Sequence, residues 1–172
     1  MTTLQGTSIS KSYTVVSKQT ARKKGRLARE TLDSNLHKEN SDLIAGHALT
    51  FLSENSHSSI HVYQSIEKNR EVSTATLVDK LRASGYSVHV QALEPHFPMQ
   101  SFEVILVPCL AVDDAGCRVG YGQGNYDRFL ANQPQAIKLG LCFEAQRVDQ
   151  IQAEDHDIRL DGVFTEAGLR YF

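Results

Sequence analysis

EVILVPCLAVDDAGCRVGYGQGNYDRFL, residues 103–130, opens with a continuous apolar run, Glu103 to Pro108. Such a run reads as a central strand covered on both faces. Asp113 and a glycine turn at Gly116 follow, then Gly120-Tyr121-Gly122-Gln123-Gly124, and Asn125-Tyr126-Asp127-Arg128 leads into a short helix over Gly124–Ala131. Three glycines at alternate positions remove side chains where backbone N–H groups can approach phosphate oxygens. The helix start adds its partial positive charge. The spacing is neither the P-loop nor the dinucleotide fingerprint, since no Gly-Lys-Ser/Thr follows and the third glycine comes too soon. A glycine cluster alone reads more often as an ordinary loop. With Tyr126, Asp127 and Arg128 beside it, the segment gains a carboxylate suited to Mg²⁺ next to a phosphate cradle.

Outward from this stretch, strands and helices alternate. N-terminal to it, a helix is expected from Ser17 to about Asn35, with Leu27 and Leu32 as apolar contacts and Gly25 as a weak point. A second follows over His37–Glu54, with Leu43, Ile44, His47, Ala48 and Phe51 on one face. Ile60–Tyr63 is a first strand. Ser73–Ser84 is a helix with Ser73 as N-cap and Gly85 as its stop, and Tyr86–Ala92 is a second strand. Pro95 and Pro98 make Glu94–Gln100 a loop. C-terminal to it, Ile137–Phe143 and Gly162–Thr165 complete the strands. The alternation predicts one α/β domain, residues 17–172, with a mostly parallel sheet flanked by helices, after a flexible tail over 1–16.

The chain has 172 residues, 41% of them hydrophobic and 22% charged, with a net charge of −2. These values exclude a fibrous or wholly disordered chain and give no global drive toward nucleic acid or an anionic membrane. No apolar run is long enough for a transmembrane helix, and Met1–Ser12 lacks the apolar core of a secretory signal. Cys109, Cys117 and Cys142 are odd in number and lack zinc-like pairing, so reduced, packed thiols in a cytoplasmic protein are expected. Charge is uneven, however. Six of the 18 Lys and Arg lie between Lys18 and Arg29, leaving the remainder with 12 against 20 Asp and Glu, a net −8. A solvated helix face is the plainer reading of this run. A local anion site is the sharper one, because Lys18 and Arg22 share a helical face. RNA binding is a third, although no aromatic residue interleaves with these cations.

Near the C-terminus, Gln146, Glu154-Asp155-His156-Asp157, Asp161 and Thr165-Glu166 form a second polar group. A solvated turn and a contribution to a Mg²⁺ shell are both open. A histidine-held metal is disfavoured, as His156 has no partner at ligand spacing.

VPCLAVD at 107–113, RVGYGQGNYD at 118–127 and HDIRLDGVFTE at 156–166 resemble, in order, segments of the 5-formyltetrahydrofolate cyclo-ligases (methenyltetrahydrofolate synthetases). Lys18-x-x-Ala21-Arg22 and Glu71-Val72-Ser73-Thr74 resemble two shorter family segments. The resemblance implies a Rossmann-like fold and an ATP- and Mg²⁺-dependent enzyme. Its reaction would close 5-formyltetrahydrofolate to 5,10-methenyltetrahydrofolate through a phosphorylated formyl intermediate, releasing ADP and phosphate. Carried over by motif, Lys18 and Arg22 would grip phosphates, and Gly120, Tyr121, Gly122, Gln123, Gly124, Asn125, Tyr126 and Asp127 would wrap the nucleotide. Asp127 and Asp157 would hold Mg²⁺, Glu71 and Tyr126 would face the folate, and Tyr126 and Arg118 would act at the reacting groups. Glu71 as a helix-capping residue and Tyr126 as a core ring with a satisfied hydroxyl are the plainer readings of those two positions.

Three departures from the family pattern stand out. Cys109 replaces a glycine, where a positive φ would be strained. Asn125 replaces the first tyrosine of a Tyr-Tyr-Asp group, and the stretch between Tyr86 and Glu103 lacks a long insert. The partners expected are small molecules, ATP and a reduced folate, with neither nucleic acid nor membrane, on a monomer or weak homo-oligomer. The alternative is an ATP-binding regulator without turnover, or a paralogue acting on another acceptor.

Overall fold

In the computed structural model, which describes residues 14–92 and 96–172, Val104–Pro108 (β3) lies inside a six-stranded sheet. The other strands are Ser59–Tyr63 (β1), Ser87–Gln91 (β2), Ile137–Leu141 (β6), Gly162–Thr165 (β7) and Gly168–Tyr171 (β8), in the order β2-β1-β3-β6-β7-β8. All neighbours run parallel except β8, which returns antiparallel along β7. The α/β, mostly parallel reading holds. Because β2 lies on one side of β1 and β3 on the other, the strand order reverses between β1 and β3, where ligands enter such sheets.

Alternate residues of β3 serve opposite faces, which explains the continuous apolar run. Val104 and Leu106 pack with Ile44, Ala48 and Leu52 of Ser34–Glu54 (α2) and Leu77 and Leu81 of Ala75–Ala83 (α3). Ile105 and Val107 pack with Phe129 and Leu130 of Asn125–Ala131 (α4). Lys18–Thr31 (α1) lies against a two-stranded hairpin, Ala111–Val112 (β4) and Arg118–Val119 (β5), that the sequence reading did not foresee. Asp113 shapes this hairpin: Oδ1 accepts the N–H groups of Ala115 and Cys117, and Oδ2 that of Ile151.

Several boundaries differ from expectation. The helix expected to reach Asn35 ends at Thr31, because the Asp33 carboxylate takes the N–H groups of Asn35 and Leu36 and starts α2 there. Leu27 is exposed rather than an apolar contact, and so is Leu43 on α2. Ser73 does not cap α3. Thr74 takes the N-cap position, and its hydroxyl donates to the Tyr63 carbonyl. Residues 1–13 of the expected tail, and 94–95 of the expected loop, lie outside the described residues. Val16 is tied in by hydrogen bonds with Gln150 and Gln152.

Candidate active site

At the switch point a cleft of about 1080 Å³ opens between the ends of β1 and β3, the glycine loop, α1 and the Glu154–Asp157 turn. The loop turns at Gly122 and Gly124, with φ of +95° and +65°, a conformation side chains resist. Gly124 then occupies the N-cap position of α4.

The cations of α1 reach this loop from one helical face. Arg22 donates from Nε to the Gly120 carbonyl at 2.8 Å. Lys18 donates to Glu154 at 2.8 Å and Asp157 at 2.7 Å. Burial opposes the ammonium charge, but these two carboxylates outweigh it and raise the Lys18 pKa. The pKa of Asp157 moves down: burial opposes this, and the Lys18 bond and the Glu154 N–H overcome it. Glu154, His156 and Asp157 bring ligand-type atoms within 4.8 Å of one another.

Arg118 is buried and donates from Nη2 to Asp127 Oδ1 at 3.0 Å, while the same oxygen accepts the Ile158 N–H at 3.3 Å. The Arg118 guanidinium carbon lies 5.8 Å from the centre of the Tyr126 ring. Tyr126 stands edge-on to Phe97, ring centres 5.0 Å apart, yet its buried hydroxyl has no hydrogen-bond partner among the described residues. Burial raises its pKa strongly, keeping the phenol protonated. Arg118 Nε is likewise buried and unpartnered. Unmet polar atoms in a cleft wall mark where a ligand would supply the missing bonds. The reading of Tyr126 as a core ring with a satisfied hydroxyl is therefore not met.

Glu71 caps no helix. It is 3% exposed and lines the cleft, its Oε2 accepting the Ile66 N–H at 2.7 Å and its Oε1 the Tyr121 hydroxyl at 2.7 Å. Beneath it, Arg29 is buried, donating to the carbonyls of Cys109 and Asn69 and to the Tyr121 hydroxyl. Arg29 was missed as a site residue because its six-cation run reads as one surface. Its spacing from Lys18 and Arg22, eleven and seven residues, was the available signal. Phe97 was missed too, since no local motif places it on Tyr126.

The structure thus brings Lys18, Arg22, Glu71, Arg118, Gly120–Asp127 and Asp157 to one cleft. Asn125 and Gln123 are bonded to each other and to Arg128 at its rim. Gln146 and Glu166 belong elsewhere. Gln146 donates to the carbonyls of Cys109 and Leu110, and Glu166 accepts from Asn40 and the Glu144 N–H. The strain anticipated at Cys109 is absent: only Ser56 and Arg70 have positive φ among described non-glycine residues.

Residues 90–166 match the model of the 5-formyltetrahydrofolate cyclo-ligase family. The chain is 41% identical over 64 residues to the 5-formyltetrahydrofolate cyclo-ligase of Mycolicibacterium smegmatis, covering 37% of this chain and 33% of that one. That alignment therefore spans a third of the relative's length. It is 24% identical over 152 residues to the Haemophilus influenzae protein of the same name, covering 68% of this chain and 80% of that one. Among solved structures, a 5,10-methenyltetrahydrofolate synthetase from Mycoplasma pneumoniae superposes with a TM-score of 0.73 at 20% identity, over 87% of this chain and 98% of that one. The Aquifex aeolicus synthetase gives 0.74 at 20% identity, over 90% and 92%. The fold is that of these synthetases, and the family resemblance read from the glycine motif is borne out.

Proposed function

We propose that this chain is an ATP-dependent cyclo-ligase that converts 5-formyltetrahydrofolate to 5,10-methenyltetrahydrofolate, releasing ADP and phosphate. The observation that carries this reading is the cleft itself. A glycine loop opening a helix and a buried unpartnered phenol, both within residues 90–166 that match the family model, face carboxylates and the converging cations of α1.

An amide oxygen leaves poorly until it is phosphorylated. In the proposed reaction the formyl oxygen bonds to the γ-phosphorus of ATP and the terminal P–O bond breaks, freeing ADP. N10 of the folate then attacks the activated formyl carbon, its proton departs, and phosphate leaves with the former formyl oxygen. The protein's part is alignment and charge. Lys18 has three N–H donors and spends two on Glu154 and Asp157, leaving one for a phosphate oxygen. Arg22 holds Gly120 through Nε and keeps its terminal nitrogens for the same anion. Backbone N–H groups over Gly120–Asp127 would cradle the rest of the nucleotide.

The carboxylates of Asp127 and Asp157 are hard oxygen donors beside this cradle and fit Mg²⁺. Bound there, the ion would offset charge on the β- and γ-phosphates. Arg118 sets the orientation of Asp127 and, through its unpartnered Nε, offers a donor to the transferring group. Tyr126 would present its hydroxyl where folate and phosphate meet, and Glu71 would accept an N–H of the folate ring. A cytoplasmic setting belongs to this reading, supported by three free, buried cysteines. No helix among the described residues is long and apolar enough to cross a membrane.

The test follows the near-ultraviolet absorbance of methenyltetrahydrofolate with purified protein. A rise that requires 5-formyltetrahydrofolate, ATP and Mg²⁺ together is the expected result. No rise, with ATP still binding in a calorimeter, would overturn it in favour of a silent ATP-binding relative.

A further inference from the structure

Tyr121 is the exposed ring of the glycine loop, yet its hydroxyl is fully committed. It accepts an N–H from Arg29 Nη1 at 3.2 Å and lies 2.7 Å from Glu71 Oε1. A phenol carries a single hydrogen, and the arginine can only donate. The Tyr121 hydrogen therefore points at the carboxylate. Burial first, and then the neighbouring carboxylate, push the Tyr121 pKa up, so the group stays a donor. Arg29 cannot easily turn away, because the Asn69 carbonyl also holds its Nη1 and the Cys109 carbonyl its Nη2. The other oxygen of Glu71 is taken by the Ile66 N–H. The glycine loop is thus bonded across the cleft to the segment that follows β1.

We propose that Tyr121 is a specificity-determining residue of the acceptor half of the cleft. Its hydroxyl stands on Glu71 as an internal donor, and an acceptor enters by exchanging one of its own N–H groups for the phenol. The naming of that acceptor as a reduced folate rests on the cyclo-ligase reading; the exchange itself rests on the Arg29–Tyr121–Glu71 chain. The chemistry selects against ligands as well as for them. A ring without an N–H donor would displace Tyr121 only by leaving Oε1 of a buried carboxylate without its donor. A heterocycle with an amide- or amidine-type N–H replaces the lost bond.

Tyr121→Phe keeps the ring and removes the donor. In the full chain, the Kd for 5-formyltetrahydrofolate measured by calorimetry should fall about threefold to tenfold, because the incoming N–H displaces only water. Amides of residues 120–124 in the ligand-free variant should exchange with deuterium about tenfold faster, since the loop loses its tie to Glu71. An unchanged exchange rate overturns the proposal whatever the ligand. A raised Kd also overturns it, making the hydroxyl a direct contact to the acceptor. Faster exchange in a protein that binds no folate in either form supports the tie and instead sinks the cyclo-ligase reading, and the acceptor is then sought among other N–H donor heterocycles.

Discussion

At Gly25, local propensity and tertiary packing ask for opposite residues. Within α1, alanine should stabilise the helix by about 1 kcal/mol. A Cβ there would lie 1.8 Å from the Leu110 carbonyl oxygen, a backbone atom that cannot step aside. The glycine is the point where α1 touches the chain just after β3. Gly25→Ala should therefore lower stability by at least about 2 kcal/mol, read from the midpoint of chemical denaturation. A stabilised variant would mean that the helix does not seat on this carbonyl. Asp127 poses a question of charge rather than space. Asp127→Asn keeps the acceptor that faces Arg118 and Ile158. It removes the negative charge beside the proposed phosphate cradle. The Mg²⁺ concentration for half-maximal turnover should rise about tenfold with an unchanged circular dichroism spectrum. An unmoved Mg²⁺ dependence would remove Asp127 from the proposed metal site.

Helix α1 joins the cleft as an element through three side chains on one face: Lys18, Arg22 and Arg29. Its N-terminal end is tied to the Glu154–Asp157 turn by the Lys18 ammonium. The sign of its pH dependence follows from both partners. The folded pKa of Asp157 lies below its ordinary 3.8, so its contribution is present above that value and lost as pH falls through the folded one. The folded pKa of Lys18 lies above 10.5, so its contribution is present below that value and lost as pH rises through the folded one. Between these limits the tie is constant across neutral pH. A carboxyl-carbon NMR titration should find Asp157 titrating below 3.8, and Lys18→Met should move it upward. No movement would show that the Glu154 N–H alone holds the carboxylate ionised. The ion pair was not legible in the sequence. Lys18 and Asp157 lie 139 residues apart, and each reads locally as a solvated charge.

Across the whole molecule, acid stability hinges on a buried imidazole in β1. His61 packs among Phe102, Phe129 and His89, with ring centres 4.7 to 5.6 Å away. Burial, and then the charge of His89, lower its pKa to about 3. The unfolded chain takes up this proton below about 6.5 while the folded chain refuses it. Stability contributed here is complete above 6.5 and falls as pH drops toward 3, by a few kcal/mol in all. His61→Phe should flatten that acid limb of the denaturation midpoint and leave the neutral value within about 1 kcal/mol. An equally steep limb in the variant would assign the acid sensitivity to other groups.

The repeating local patterns were open to direct reading. A two-residue period, a helical period and an apolar run each report how one segment meets a core, so the alternation of strands and helices was determined by the sequence alone. So was the glycine loop at the start of α4, because residues without side chains turn most readily as Gly122 and Gly124 do. The tertiary structure decided what depends on chain-distant atoms sharing one space. The return of β8 along β7, the short hairpin after β3 and the exposure of Leu27 and Leu43 are of this kind. So are the burial of Arg29 out of a run of like charges and the bond of Tyr121 to Glu71 across the cleft. A sequence pattern fixes the face a residue presents, while the partner on that face comes from elsewhere in the chain and is chosen only when the sheet brings the two together.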